Sequence, residues 1–214
     1  MLKKYNDITV FETNKIDDMQ DADIIKIVLP TSIENENKMK EIGFLFADRT
    51  LGVSIQLSKT ELNFDKLIRL PIEETDGYKT EIEEIALKSF PYDRRFHLKL
   101  NYDDEELFKL IIKEWVNDLD NVLVAKYQST VVGFLALKET DSDTLFVHFA
   151  AVDEKYRLTG AAMSLYAEAV KIAKDRGYKK LEGRISSKNT AVMNLYSYFG
   201  AHFENPLDIY IKEV

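Results

Sequence analysis

Ala151-Val152-Asp153-Glu154-Lys155-Tyr156-Arg157-Leu158-Thr159-Gly160-Ala161-Ala162 is the stretch on which the fold turns. The apolar run over 145–152 reads as a strand, polar residues follow, and a 3.6-residue period starts at Leu158. A strand therefore passes through a short loop into a helix whose first turn is built of tiny residues. The first N–H groups of such a helix have no partner inside it and lie at its positive end. Gly160, Ala161 and Ala162 leave that backbone open to a large anion, and Arg157 adds a charge beside it. Pyrophosphate groups are cradled in this way. A small-residue helix packed tightly on a sheet, with Arg157 in solvent, reads equally well from these residues alone.

The pattern extends outward from there. The helix over 158–176 carries Leu165, Ala169, Ile172 and Ala173 on its apolar stripe, and Gly177 stops it. Upstream, strands over 122–127, 131–138 and 145–152 are joined by short polar turns, which makes an antiparallel meander. Downstream comes a strand over 181–186, a helix over 190–199 capped by Asn189, and a last strand over 209–211. Ahead of the meander we expect a strand over 66–70, then a helix opening at a Thr80–Glu83 capping box and ended by Pro91. A second helix is expected over 103–119. Nearer the start, a strand over 24–29, a helix over 33–42 capped by Thr31 or Ser32, and extended chain over 44–57 form a small unit. The chain thus reads as α/β (α+β): a small N-terminal α/β extension, 1–62, and a main domain, 63–214.

Composition narrows the chemistry. With 29 basic and 37 acidic residues among 214, the net charge of −8 repels a phosphate backbone, so nucleic acid is not an expected partner. No cysteine is present, which removes disulfides, thiolate metal sites and a thiol nucleophile. The 3 histidines, His97, His148 and His202, stand at no metal-ligand spacing, so no metal is expected. The start of the chain is charged with no apolar run behind it, and no segment is long enough to span a bilayer. A cytoplasmic protein without a membrane partner is the expectation.

Two further stretches carry candidate chemistry. In the helix after Asn189, Leu195 and Phe199 stand four apart and should face the core. Tyr196 is displaced by one residue, toward a cleft, where a phenol can protonate a leaving thiolate. An ordinary packing role is the alternative for one of 11 tyrosines. His148 shares a face with Phe146 and Ala150 by strict alternation, so it can reach an acceptor cleft and take a proton. Burial in the core or stacking on an aromatic ring is its alternative. Tyr127, Glu139 and Asp141 are weaker candidates for a base.

Together the two helix-opening stretches resemble the GNAT superfamily of acyl-CoA-dependent N-acyltransferases. Arg157-x-x-Gly160-x-Ala162 is similar to that family's acetyl-CoA signature, and Asn189, Ala191, Tyr196 and Gly200 follow in the family's order. The resemblance covers roughly residues 67–214. It implies a mixed, mostly antiparallel sheet flanked by helices, and acetyl-CoA as cosubstrate. It also implies that the backbone of Ala151 and Val152 pairs with the pantetheine arm, and that amides of Leu158, Thr159, Gly160, Ala161 and Ala162 hold the pyrophosphate. Asn189 would hold the arm and Tyr196 would protonate the departing sulfur. The glutamate that members often carry on the preceding strand is missing, which leaves His148 as the candidate base.

A second layer of resemblance concerns the acceptor. Arg95-Phe96-His97 ahead of a helix bearing Trp115 looks like the dTDP-4-amino-6-deoxysugar (dTDP-fucosamine) acetyltransferase branch. This implies substrate contacts from Arg94, Arg95, Phe96 and His97, with Lys99 adding charge; a solvated loop with ion pairs to Asp93 or Asp103 is the alternative. Ser186-Ser187 departs from that branch. An amino acid or polyamine acceptor, or a CoA-binding module without catalysis, are the other readings. A homodimer through an exposed strand edge is a further expectation.

Overall fold

The computed structural model describes residues 1–90, 93–101 and 103–214. Elements follow in the order β1 (Leu2–Tyr5), β2 (Ile8–Thr13), β3 (Ile24–Pro30), α1 (Ile33–Glu41), β4 (Leu45–Gln56), α2 (Phe64–Leu67), β5 (Ile72–Thr75), α3 (Lys79–Ser89) and α4 (Glu105–Asn117). Then come β6 (Val122–Tyr127), β7 (Thr130–Asp141), β8 (Thr144–Val152), α5 (Ala161–Asp175), β9 (Lys180–Ser186), α6 (Thr190–Tyr198) and β10 (His202–Glu213). Among the described residues ten strands form one sheet, ordered β1-β2-β3-β10-β4-β9-β8-β7-β6-β5. The expected meander is β6–β7–β8, antiparallel throughout.

Helices cover both faces. On one face α3 and α4 bury Ile82, Ile85, Ile111 and Ile112 against Val122, Phe134 and Phe149. On the other, α5 and α6 bury Leu165, Val170, Tyr196 and Phe199 against Leu135, Leu145, Val147 and Leu181. Ala161, Ala167, Ala169 and Ala173 are fully buried, so small side chains let the α5 backbone approach the sheet closely. The helix α1 covers a third patch built around Ile27, Met39 and Phe44.

Two features of the ladder position everything that follows. First, β8 and β9 run parallel and pair only from Thr144↔Lys180 to Val147↔Gly183. Beyond that pair, β8 remains on β7 as far as Val152, while β9 stays paired with β4 through Ser186. Each strand is held along its outer side, so the two part like a fork. Second, the β7–β8 register shifts between Leu137↔Val147 and Ala136↔Phe149, which leaves His148 as a bulged residue without a partner.

Several expectations need correction. Residues 66–70 are not a strand: Asn63 caps the short α2 through Lys66 N, and β5 begins only after Pro71. Their amides are taken instead by α5, since Ser164 Oγ accepts from Arg69 N (2.9 Å) and Leu70 N (3.3 Å) and donates to the Gly160 carbonyl (3.0 Å). The Thr80–Glu83 capping box does not form, because α3 starts one residue earlier behind Tyr78 in a left-handed conformation. Pro91, expected to end that helix, lies outside the described residues. The first 23 residues add the β1–β2 hairpin, which pairs in parallel onto β3, and the last strand runs through twelve residues rather than three. The division expected at 62/63 falls between β4 and α2, and the sheet continues across it, with β4 seated between β9 and β10.

Ser164 is fully buried and satisfies both of those loop amides. Ser164→Ala leaves them without a partner, at a cost of about 1–3 kcal/mol. Calorimetry should therefore show a melting temperature about 2–10 °C lower; an unchanged value would mean that the amides find water.

Candidate active site

The fork opens a cavity of about 560 Å³. Its walls are the free side of β8 at Ala150, Ala151 and Val152, the start of α5, the start of α6 and the end of α3. Gly160 sits at the N-cap of α5 with φ +87°, a conformation that side chains resist, and no side chain caps the helix. The helix therefore presents unsatisfied amides to the cavity, with Arg157 alongside. Arg69 is a neighbour that sequence reading missed: its Cδ lies 3.5 Å from where a Cβ on Gly160 would stand.

Acetyl-CoA fits these residues. Along the open side of β8 the backbone lacks a ladder partner, as an added extended chain requires. Among the described residues Ser89 Oγ, buried at the cavity wall, has no hydrogen-bond partner, a polar atom available to a bound ligand. Arg157, Gly160, Ala162 and Asn189 line the cavity together with Ala151 and Val152. Asn189 Oδ1 is spent on capping α6 through Val192 N.

The side chains of the remaining cradle residues do not line the cavity. Leu158 is fully exposed, Thr159 Oγ1 donates to the Tyr156 carbonyl (2.7 Å), and Ala161 is buried under α5. For Leu158, Thr159 and Ala161, only the backbone remains to meet a ligand.

Tyr196 does not project into open space as its offset suggested. It is 1 % exposed, and its ring lies edge-on to that of Tyr166 at 5.0 Å. Tyr196 and Phe199 face the core, and Leu195 lines the cavity instead. The Tyr196 hydroxyl lies 2.5 Å from where a Cβ on residue 183 would be, so Gly183 is what makes room for it. Gly183 also ends the β8–β9 ladder. The hydroxyl therefore stands at the apex of the fork, beside Tyr166, which lines the cavity from α5. Burial, with the Tyr166 hydroxyl next in weight, raises the Tyr196 pKa well above 10. Tyr166 is pushed up to about 12, chiefly by burial. Both phenols keep their protons at neutral pH.

On the opposite face of the sheet lies a second cavity of about 270 Å³. His148 and Phe146 line it from β8, Arg184 from β9, Trp115 from α4, Lys26 from β3, and Arg95 from the loop before α4. The bulge turns His148 and Phe149 to the same face, so His148 shares a face with Phe146 but not with Ala150. Its ring stacks on Trp115 at 4.7 Å and 3°. The stacking foreseen as an alternative thus coexists with a place in the cavity wall. Burial, reinforced by Lys138 and Arg95, lowers its pKa below 6.5, so the imidazole is neutral at pH 7 and can accept a proton. Tyr127 pairs with Tyr156 away from both cavities, and Glu139 and Asp141 border a shallow depression near Tyr178.

Of the expected substrate contacts, only Arg95 lines a cavity. Arg94 is buried and donates to the carbonyls of Lys99 (2.5 Å) and Leu100 (3.0 Å). Phe96 is wholly inside the core, edge-on to Trp115. His97 Nδ1 is 2.5 Å from Asp104 Oδ1, and its ring stacks on Phe108 at 4.0 Å. These three residues build the loop. Lys99 stands 4.0 Å from Asp103. Arg95 pairs with Asp93 through two nitrogens (3.0 and 2.8 Å) and lies over Phe90 and Phe96. Burial pushes the Asp93 carboxyl up, and Arg95 outweighs it, leaving the carboxyl below its usual range.

The chain belongs to the Acetyltransferase (GNAT) family, whose sequence profile matches residues 79–201. No curated protein sequence matches it significantly. Among solved structures it is similar to a conserved protein of unknown function from Staphylococcus epidermidis, with 17% identity and a TM-score of 0.62 over 89% of this chain and 72% of that one. It is also similar to a GCN5-related N-acetyltransferase from Sphaerobacter thermophilus, with 16% identity and a TM-score of 0.62 over 89% of this chain and 59% of that one. A GNAT-family structure from Novosphingobium aromaticivorans gives 14% identity and 0.57 over 90% and 75%. At these identities the likeness establishes the fold. No group of three or more metal-ligating side chains, and no helix long and apolar enough to cross a membrane, occurs among the described residues.

Trp115 is the chain's 1 tryptophan, so its emission reports on His148 directly. Protonation of a stacked imidazole quenches indole, and the emission should titrate with a midpoint below 6.5. The same shift makes a stability contribution that is present above pH 6.5 and is lost as pH falls through the lowered value. A midpoint at or above 6.5, or one that persists in His148→Asn, would contradict this placement.

Proposed function

We propose that the protein transfers the acetyl group of acetyl-CoA to a primary amine, with Tyr196 on one side of the fork and His148 on the other. The observation that carries this reading is that one strand lines both cavities: Ala150–Val152 on the coenzyme side and Phe146 with His148 on the other. The walls meet at Phe149, whose ring stacks on Phe90 at 5.1 Å.

Bound acetyl-CoA supplies a thioester carbon open to attack by an amine. The unladdered amides of residues 150–152 are placed to hold the carbonyl oxygen as negative charge grows on it. Neutral His148 accepts a proton from the incoming amine, directly or through water. Tyr196, protonated at the apex, donates to the departing sulfur. Most of the acceleration comes from holding two reactants at the same point of the sheet.

For the acceptor, the resemblance implies a nucleotide-linked amino sugar, a dTDP-4-amino-6-deoxyhexose. Lys26 and Arg95 are paired with Glu12 and Asp93, and the remaining charge of Arg184 in the lining supports an anionic acceptor of that kind and disfavours a polyamine. The loss of Arg94, Phe96 and His97 to the fold removes part of the basis for the sugar, and an amino acid is supported by the same charges.

The test uses the chain's lack of cysteine, since a thiol-reactive dye then reads released CoA with no protein background. Release should depend on the added amine. Tyr196→Phe should lower kcat about a hundredfold with little change in the KM for acetyl-CoA. Full activity in that variant would remove Tyr196 from the chemistry, and amine-independent release would remove the transferase reading.

A further inference from the structure

The second cavity holds a cation that the protein itself does not neutralise. Lys26 Nζ is 3.1 Å from Glu12, Lys3 Nζ is 2.6 Å from Glu114, and Arg95 is paired with Asp93. Arg184, half-buried in the same wall, has no carboxylate within salt-bridge distance among the described residues. One amino group of its guanidinium donates to Thr50 Oγ1 (3.2 Å) and to the Asn205 carbonyl (3.1 Å). Its Nε and other amino group make no hydrogen bond among the described residues. The Asn205 carbonyl is held in place by the irregular β4–β10 register, where Asn205 itself adopts φ +49°. The guanidinium is thus oriented from behind, with its second amino group close over Gly52 and its remaining donors unbonded among the described residues.

Removing a guanidinium from water without an anion to pair with costs free energy, and burial does lower the Arg184 pKa. On a chain of net charge −8, an unpaired arginine inside a pocket is a local inversion of sign. Its position is specific too. Val147↔Gly183 is the last ladder pair, so His148 and Arg184 are the first residues beyond it on the two arms of the fork. Both line one cavity.

We infer that Arg184 anchors an acidic group of the acceptor, so that the substrate class is a small primary amine carrying a carboxylate or phosphate within a few bonds of its nitrogen. This inference rests on the transferase reading for what happens to the amine, but not for the binding of the anion. With the anion on Arg184, the nitrogen is delivered across the mouth of the fork to His148. Trp115 stacks on the imidazole, and Arg95, 5.4 and 5.0 Å from the ring centres of Phe90 and Phe96, also lines the wall. The donors left free on Arg184 suit the paired oxygens of a carboxylate or phosphate.

Matched acceptors test it. Phenylalanine against phenethylamine and β-alanine against ethylamine probe a carboxylate; glucosamine 6-phosphate against glucosamine probes a phosphate. With wild-type protein, the anionic member of at least one pair should be acetylated with a kcat/KM about tenfold or more above its neutral partner. In Arg184→Gln that ratio should collapse toward unity through KM, and Arg184→Lys should recover part of it. Circular dichroism and acetyl-CoA affinity check that the variants fold. Equal use of both members by wild type, or an unchanged ratio in Arg184→Gln, overturns the inference.

Trp115 emission supplies a readout that does not need turnover. Quenching by an anionic amine that weakens about tenfold in Arg184→Gln, with no acetylation of any acceptor, would keep the anion site and sink the transferase reading. Neither quenching nor turnover with any pair would sink both.

Discussion

The structure depends on one interruption: the β8–β9 ladder stops at Val147↔Gly183. Past that point each strand keeps its outer partner, β8 along β7 and β9 along β4. Their facing edges are left with backbone groups that the sheet does not satisfy. Inside a protein such groups need water or a ligand. The interruption is therefore both a gap in the fold and the reason for a site. The closely packed α5 and the Ser164 bonds to the 69–70 segment hold the helical wall of the 560 Å³ cavity in place.

Two small departures from regularity set the chemistry on this gap. The bulge at His148 turns two consecutive side chains to one face, which seals the core with Phe149 and still leaves an imidazole in the wall of the second cavity. The absence of a side chain at Gly183 lets the Tyr196 hydroxyl reach the apex from the other face. In the proposed reaction, the imidazole and the phenol approach the end of the β8–β9 ladder from opposite faces of the sheet. Burial acts on both, lowering the pKa of the imidazole and raising those of the phenols. The N-terminal strands matter here as well, since β4 holds β9 along its outer edge, and Lys26 on β3 lines the second cavity.

Much of this was legible in the residues, and the failures have physical causes. Strand, loop and small-residue helix over 151–162 were readable because periodicity and glycine act locally. Strict alternation groups His148 with Phe146 and Ala150; the bulge, set by how β7 and β8 register, keeps it with Phe146 and parts it from Ala150. The run at 66–70 was apolar enough for a strand, yet a serine 94 residues further on took its amides. Among Arg94, Arg95, Phe96 and His97, only tertiary partners decide which one faces a cavity: carbonyls at 99 and 100 claim Arg94, and Asp104 claims His97. Arg184 was overlooked because it alternates with Leu181, Gly183 and Ile185 as a solvent-facing polar residue would. Its signal was available in that alternation once the strand was known to border a cleft.

Amide hydrogen exchange with and without acetyl-CoA tests the fork most directly. If the coenzyme completes the unladdered edge, exchange should slow across 148–152 and at the start of α5, while the paired segments 144–147 and 180–183 stay as protected as before. Protection confined to other parts of the surface, or none at all at saturating acetyl-CoA, would mean that the gap between β8 and β9 is not where the reaction is assembled.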